Sequence, residues 1–231
     1  MQRRLRYNED RSFKLLHLCY YFSKPEFKND DVKRIIDFKN QDEQAIRYFT
    51  IQALENLQYH QIDQDLFIIR ALHSYETDAD SVLDPLDRLG DGIGTVFDCS
   101  YYSRVLSKTR VTKAIKSFTI AQRKAELEGV YKLDANMFNF NNRKILIIDD
   151  VITTGTTACA IIKAILDEFP LAEIEVFGLA WTPTFNQQNY LVQQQSCTQL
   201  NEPDLPYGGP LEKKWHDEDF ENGETNISIN P

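Results

Sequence analysis

The sequence predicts an α/β fold: a mostly parallel, twisted sheet flanked by helices. Three observations carry that reading. Ile145-Leu146-Ile147-Ile148 is an unbroken run of aliphatics, the pattern of a strand buried on both faces. Residues 157–169 then place Ala158, Ile161, Ile162, Ile165, Leu166 and Phe169 at helical spacing until Pro170 stops the helix. Ile174 to Ala180 is a second apolar run, which completes a strand–helix–strand unit and with it the parallel sheet.

The other elements follow in chain order. Residues 31–39 place Val32, Ile35, Ile36 and Lys39 on one helical face, with Asp30 or Asp31 available as a cap. Residues 42–57 repeat the signal through Ala45, Ile46, Phe49, Ala53, Leu54 and Leu57. Leu66-Phe67-Ile68-Ile69 reads as a short buried strand. Asp84-Pro85-Leu86 suits a helix start with proline at the first position. Gly90, Gly92 and Gly94 imply either close backbone approach or a frayed helix. From Cys99 to Ala125 there are seven basic residues and no acid, with Tyr101, Tyr102 and Phe118 interleaved. An Asn-rich loop over 134–143 leads into the strand at 145. After Trp181 the periodicity decays. The chain divides into an N-terminal segment, 1–30, with no assigned role, a domain over 31–182, and a C-terminal extension, 183–231, expected to be irregular.

The bulk numbers exclude several classes. No apolar run approaches the ~18–20 residues of a membrane span, so no membrane partner is expected. The basic start, Met1 to Arg6, is followed by no long apolar stretch, so no secretory leader is expected. Cys19, Cys99, Cys159 and Cys197 are far apart and form no C-x-x-C pair. They read as reduced thiols and point to a cytoplasmic protein. His17, His60 and His216 have no partner at zinc-ligand spacing, and no P-loop motif is present. The formal net charge is -9. Much of it sits between Glu202 and Glu224, where eight acids face only Lys213 and Lys214. Global charge therefore argues weakly against non-specific nucleic-acid binding, and local charge matters more.

The chemistry concentrates in Asp149-Asp150-Val151-Ile152-Thr153-Thr154-Gly155-Thr156-Thr157. Two carboxylates stand where a buried parallel strand ends, the place where open α/β sheets collect ligands. A short loop of hydroxyls around one glycine follows, and a helix begins directly after it. The unpaired amides and dipole of a helix N-terminus favour an anion, and the threonine hydroxyls add donors. The carboxylates would repel a phosphate. They suit a vicinal diol instead, either as direct acceptors or through a Mg²⁺ that the diol ligates. Diol acceptors beside a phosphate cradle describe a ribose 5-phosphate. The plainer alternative is a capped helix whose threonines serve only as N-caps.

This stretch resembles the signature of the type I phosphoribosyltransferases, a strand ending in two acids followed by a Thr/Gly-rich loop. The likeness extends to the ComF-like branch, in which a helix ending in a lysine precedes a second helix and a short strand. Here those correspond to the helix ending in Lys39, to residues 42–57 and to Leu66–Ile69, and Ala121 to Tyr131 is similar to the stretch before that branch's signature strand. The resemblance covers about residues 31–182 and implies a hood at about 99–131 over the site. It implies a 5-phosphate loop at Val151, Ile152, Thr153, Thr154, Gly155, Thr156 and Thr157. Asp149 and Asp150 become the catalytic acids at the ribose, with Mg²⁺ held there through water or ribose hydroxyls.

The sequence departs from that pattern twice. Where the family's pyrophosphate loop stands, this chain has Arg70-Ala71-Leu72-His73-Ser74. Arg70 and His73 could still grip a pyrophosphate, and Ala71 and Ser74 complete the loop; a solvent-facing arginine and a surface histidine are the bland alternatives. Thr153 takes the place of the aspartate of 6-oxopurine enzymes, so no general base is evident and the acceptor base is unidentified. The hood's Arg110, Lys113 and Lys116, with Tyr101 or Tyr102 stacking a base, fit a lid over pyrophosphate. They equally fit a solvated helical face, and less well a surface for single-stranded nucleic acid.

Three functions follow from the resemblance. The first is an enzyme that binds 5-phosphoribosyl 1-pyrophosphate with Mg²⁺ and transfers phosphoribose to a nitrogenous base. The second is a non-catalytic sensor of that ligand or of a related nucleotide. The third, suggested by the branch's link to DNA uptake, is a nucleic-acid-associated module. A homodimer is left open.

Overall fold

A computed structural model describes residues 1–22, 30–60, 66–79, 84–114, 118–134, 138–183 and 187. Lys116, Trp215 and the acidic stretch 202–224 lie outside the described residues, as does almost all of the extension expected from 183 onward. Residues Met1–Thr184 form one compact unit.

The elements run β1 (Gln2–Arg6), β2 (Ser12–Tyr20), α1 (Asp30–Lys39), α2 (Glu43–Tyr59), β3 (Leu66–Arg70) and α3 (Pro85–Phe97). They continue β4 (Ser100–Tyr101), β5 (Leu106–Lys108), α4 (Ile120–Leu127), β6 (Tyr131–Leu133), β7 (Lys144–Ile152), α5 (Thr156–Glu168) and β8 (Glu173–Trp181). The main sheet has the order β1-β2-β8-β7-β3-β4. All neighbours are parallel except β1 against β2. The fold is thus mixed α/β with a mostly parallel central sheet. β5 and β6 form a separate antiparallel ribbon within the expected hood.

Strand alternation divides the core in two. Ile145, Ile147, Ile174 and Val176 pack with Ile161, Ile162 and Ile165 of α5. Leu146, Ile148, Phe177 and Leu179 pack with residues of α1, α2 and α3 on the other face. Both faces are covered, which is why β7 and β8 are aliphatic throughout and not alternating. Each fully buried isoleucine contributes about 1.5–3 kcal/mol of burial.

The chain order within the sheet creates a switch point. From β3 the chain crosses through α3 to β4 on one side; from β7 it crosses through α5 to β8 on the other. A crevice at the carboxyl ends of β3 and β7 is the result. The segments after these strands hold the two stretches singled out in the sequence.

Residues 1–22 extend the same sheet, a role the sequence reading had not assigned. β2 pairs in register with β8 from Lys14↔Glu175 to Tyr20↔Trp181. β1 escapes notice because an edge strand carries charge, and Gln2-Arg3-Arg4-Leu5-Arg6 reads simply as a basic terminus.

The glycines of α3 mark close approach and not fraying. Asp84 caps the helix by accepting from the Leu86 amide, within a reciprocal capping box with Asp87. A Cβ at Gly90 would stand 2.4 Å from the Tyr101 ring, and one at Gly94 would stand 2.9 Å from the Cys99 carbonyl. Gly90→Ala is expected to lower stability by about 1–3 kcal/mol. Urea denaturation checks it: the midpoint should fall with the slope unchanged.

Candidate functional site

β7 runs past the end of β3. Arg70 is the last residue of β3 in register, opposite Ile148, and the Ala71 amide donates to the Ile148 carbonyl at 2.8 Å. Asp149 and Asp150 therefore project where β3 has ended, while β8 still pairs through Ile152↔Trp181. Successive strand residues face opposite sides, so each acid belongs to a different half of the molecule. Asp150, on the α1 side, binds Lys39, Nζ to Oδ2 at 2.6 Å. Asp149 faces the hood side, where its charge acts on Tyr131.

Each carboxylate is also oriented by the backbone. Asp149 Oδ1 accepts from the Asp150 amide at 2.8 Å, and Asp150 Oδ1 accepts from the Val151 amide at 2.5 Å. Burial, and then the charge of Asp150, push the Asp149 carboxyl above the usual range, against Lys39 and His73.

The threonine loop begins two residues later than the sequence suggested. Val151 and Ile152 remain strand residues paired with β8, although both line the notch beside the loop. The loop proper is Thr153 to Gly155. Gly155 is the N-cap of α5 at φ 71°, and no side chain caps the helix. Helix capping thus fails to explain the threonines, and the first-turn amides stay available to an anion. Thr154 and Thr156 bind each other, Oγ1 to Oγ1 at 2.8 Å. Gly155 is held from behind: a Cβ there would meet Leu5 Cδ1 of β1 at 2.2 Å.

Arg123 of α4 lies across this loop. Its Nη1 donates to Thr153 Oγ1 at 3.1 Å, and its Nε to the Phe118 carbonyl at 3.0 Å. The notch lined by Arg123, Asp149 and residues 151–158 measures about 20 Å³.

The loop after β3 corrects one expectation. Arg70 does not reach toward a leaving group: it is 1% exposed. Its Nη1 and Nη2 donate to the two Glu76 oxygens at 2.9 Å, and its Nε to Asp87 Oδ1 at 2.7 Å. Burial opposes its charge, but the bonds to Glu76 and Asp87 outweigh that and hold it more firmly protonated than usual. Glu76 in turn accepts from the His73 amide at 2.6 Å. Ala71 is buried in the core, and the Ser74 hydroxyl makes no hydrogen bond among the described residues. Lys108 is buried beneath the loop and donates to the His73 and Ser74 carbonyls; burial pushes its ammonium down to about 8.

His73 presents its side chain at the crevice. Its Nε2 meets Asp84 Oδ2 at 2.6 Å, and its ring stacks on Tyr75 with centroids 5.3 Å apart. The bond to Asp84 raises its pKa against the cost of burial, and the charges of Asp150 and Glu76 add to the effect.

Of the hood cations singled out in the sequence, Arg110 and Lys113 lie within the described residues, and their contacts turn away from the crevice. Arg110 binds Glu126 Oε1 at 2.6 Å and the Glu126 carbonyl at 2.8 Å, which ties β5 to α4. The Lys113 amide donates to the same carboxylate, and its side chain is exposed. The tyrosines are core residues: the Tyr101 hydroxyl donates to Asp87, and Tyr102 stacks on Phe67 at 5.5 Å.

Lys39, Arg123, Lys108, Glu76, Asp84 and Asp87 are the site and supporting residues that sequence reasoning had not assigned. Lys39 carried a signal, as the last residue of an amphipathic helix. Arg123 was hidden among seven basic residues. Nothing in the local sequence marks Glu76.

No protein-family profile matches the chain. The chain is similar to Competence protein F of Haemophilus influenzae. Identity is 28% over 94 residues, which span 41% of this chain and 41% of that protein. The ComF-like resemblance of the signature thus has a counterpart in a direct sequence similarity. A crystal structure of adenine phosphoribosyltransferase aligns over 82% of this chain and 88% of its own, at 13% identity and a TM-score of 0.36.

Asp84→Asn should keep the cap of α3, since asparagine caps as well as aspartate. The His73 pKa should fall toward its ordinary value. NMR titration of the imidazole proton checks this; an unchanged midpoint would rule out the pairing.

Proposed function

We propose that this protein is a phosphoribosyltransferase-type enzyme that binds 5-phosphoribosyl 1-pyrophosphate with Mg²⁺ and transfers the phosphoribosyl group to a nitrogenous base. The observation that carries the reading is the pairing at the switch point. An uncapped helix N-terminus with a threonine loop stands beside two strand-terminal carboxylates. In this reading the 5-phosphate takes the Thr153–Thr157 amides and hydroxyls, with Arg123 moving onto it. Asp149 and Asp150 accept from the ribose hydroxyls and place negative charge beside the cation that develops as pyrophosphate departs. His73, positioned by Asp84, meets the leaving group.

The fit for Mg²⁺ is partial. No set of three or more His, Cys, Asp or Glu side chains comes together among the described residues, and the acids of β7 face opposite sides. Mg²⁺ keeps several waters and favours substrate oxygens, so the diphosphate and the ribose diol would supply most of its ligands. When bound, it would neutralise charge on the leaving group.

A second reading, a sensor that binds without turnover, draws on the burial of Arg70, which leaves the pyrophosphate side with His73 as its cation. Pyrophosphate release across a panel of bases separates the two.

Calorimetric titration of 5-phosphoribosyl 1-pyrophosphate with Mg²⁺ should show binding that Asp149→Asn/Asp150→Asn weakens by more than about tenfold, or ~1.4 kcal/mol. Arg123→Ala should weaken it similarly. No binding by folded wild type would refute the assignment. Ribose 5-phosphate supplies the pH test. Asp149 must be ionised to accept from both hydroxyls, and its pKa is raised. Affinity should therefore rise with pH across neutrality, and Asp149→Asn should flatten the rise relative to wild type.

A further inference from the structure

Beside the phosphate notch lies a much larger, half-open cavity, about 550 Å³, bordered by the β1–β2 turn, α4, β6 and α5. Its size falls within the roughly 300–1,000 Å³ of small-molecule sites. The two spaces adjoin: Thr154 and Thr156, whose hydroxyls are bonded to each other, line both. None of the groups assigned to phosphoribose transfer explains this cavity.

Its charges are ordered along α5. Near the loop, the Arg6 carbonyl meets Cys159 Sγ at 3.8 Å, and Lys124 lies close enough to act on that thiol. The Lys124 ammonium has no ion-pair partner among the described residues. Lys163 lies two turns further on, about 10 Å from Thr156 by helix rise. There Lys163 binds Asp167 at 2.7 Å and also feels Glu128. The end next to the phosphate loop is therefore cationic, and the far end is balanced. Leu127 and Ala160 supply apolar wall between them.

Tyr131 offers a donor on the cavity wall. It is 7% exposed, lines the cavity, and its hydroxyl makes no hydrogen bond among the described residues. An acceptor bound in the cavity would take that hydroxyl as a donor.

We propose that this cavity holds the second half of a dinucleotide-type ligand: a ribose 5-phosphate whose phosphorus carries a further phosphate-linked nucleoside. The first ribose lies at Asp149 and Asp150 and its phosphate on the Thr153–Thr157 loop. The second phosphate lies between Arg6 and Lys124, and the nucleoside runs along Ala160 and Leu127 within reach of Tyr131. The proposal rests on the phosphate-loop reading above and extends it past Thr154 and Thr156 into the adjoining cavity.

The test compares ribose 5-phosphate with ADP-ribose, which is the same group extended at phosphorus. Both are titrated calorimetrically into the full chain and into two variants, Ala160→Trp, which fills the cavity, and Lys124→Ala, which removes its cation. Wild type should bind ADP-ribose at least about tenfold more tightly than ribose 5-phosphate. Both variants should lose that advantage and keep their affinity for ribose 5-phosphate. If wild type binds ribose 5-phosphate and gains nothing from the extension, the cavity proposal is overturned and the loop assignment stands. The same holds if the gain survives both substitutions. If neither compound binds, the loop assignment falls and takes this proposal with it. Lys124→Ala is a surface change, so it keeps the test decisive should Ala160→Trp fail to fold.

Discussion

The guanidinium of Arg70 organises the crevice from inside the protein. It ends β3, lies fully buried, and holds two carboxylates from different segments: Glu76 of the loop that follows and Asp87 of the first turn of α3. Through Glu76 it fixes the His73 amide; through Asp87 it fixes the capping box in which Asp84 orients the His73 ring. Tyr101 shares Asp87 and packs on Gly90. Removing one member of such a buried pair leaves an uncompensated charge, a loss of about 3–5 kcal/mol. The cation expected at a pyrophosphate thus serves as the frame on which the His73 loop and the start of α3 are set.

Around that frame the site is assembled from both halves of the core. Asp149, on the α5 face, is held by the Asp150 amide, and Asp150 by α1 through Lys39. Packing changes on either face of the sheet therefore reach the pair by separate routes. This also explains why the two acids, adjacent in sequence, fail to form a compact metal set: a strand separates its neighbours by design of its pleat.

Much of the fold was legible because its strongest elements have simple patterns. Ile145–Ile148, Ile174–Ala180 and the α5 periodicity announce buried parallel strands and a crossover helix, and Asp84-Pro85 announces α3. What escaped notice depends on distant partners. β1 is charged and short, and only its pairing with β2 makes it a strand. Tyr101 and Tyr102 look like surface aromatics in a basic stretch until Asp87 and Phe67 meet them. Arg70 looks like a ligand group because sequence cannot reveal that Glu76 and Asp87 surround it. The loop Thr153–Gly155 was legible by composition, but Arg123, which lies across it, is separated from it by some thirty positions.

The contact of Leu5 with Gly155 bears on the order in which the molecule can form. β1 pairs only with β2, and β2 reaches the sheet only through β8, whose residues lie about 160 positions later in the chain. The α1–α2–β3 region can collapse on local contacts, whereas the first strands must wait for nearly the last. Such long-range pairing is slow because the loop it closes must be ordered before any contact rewards it. The loop Thr153–Gly155 thus acquires its rear wall in one of the final steps of folding. Until then the loop has its sequence but not its shape, and the left-handed turn at Gly155 becomes a late marker of a correctly finished chain.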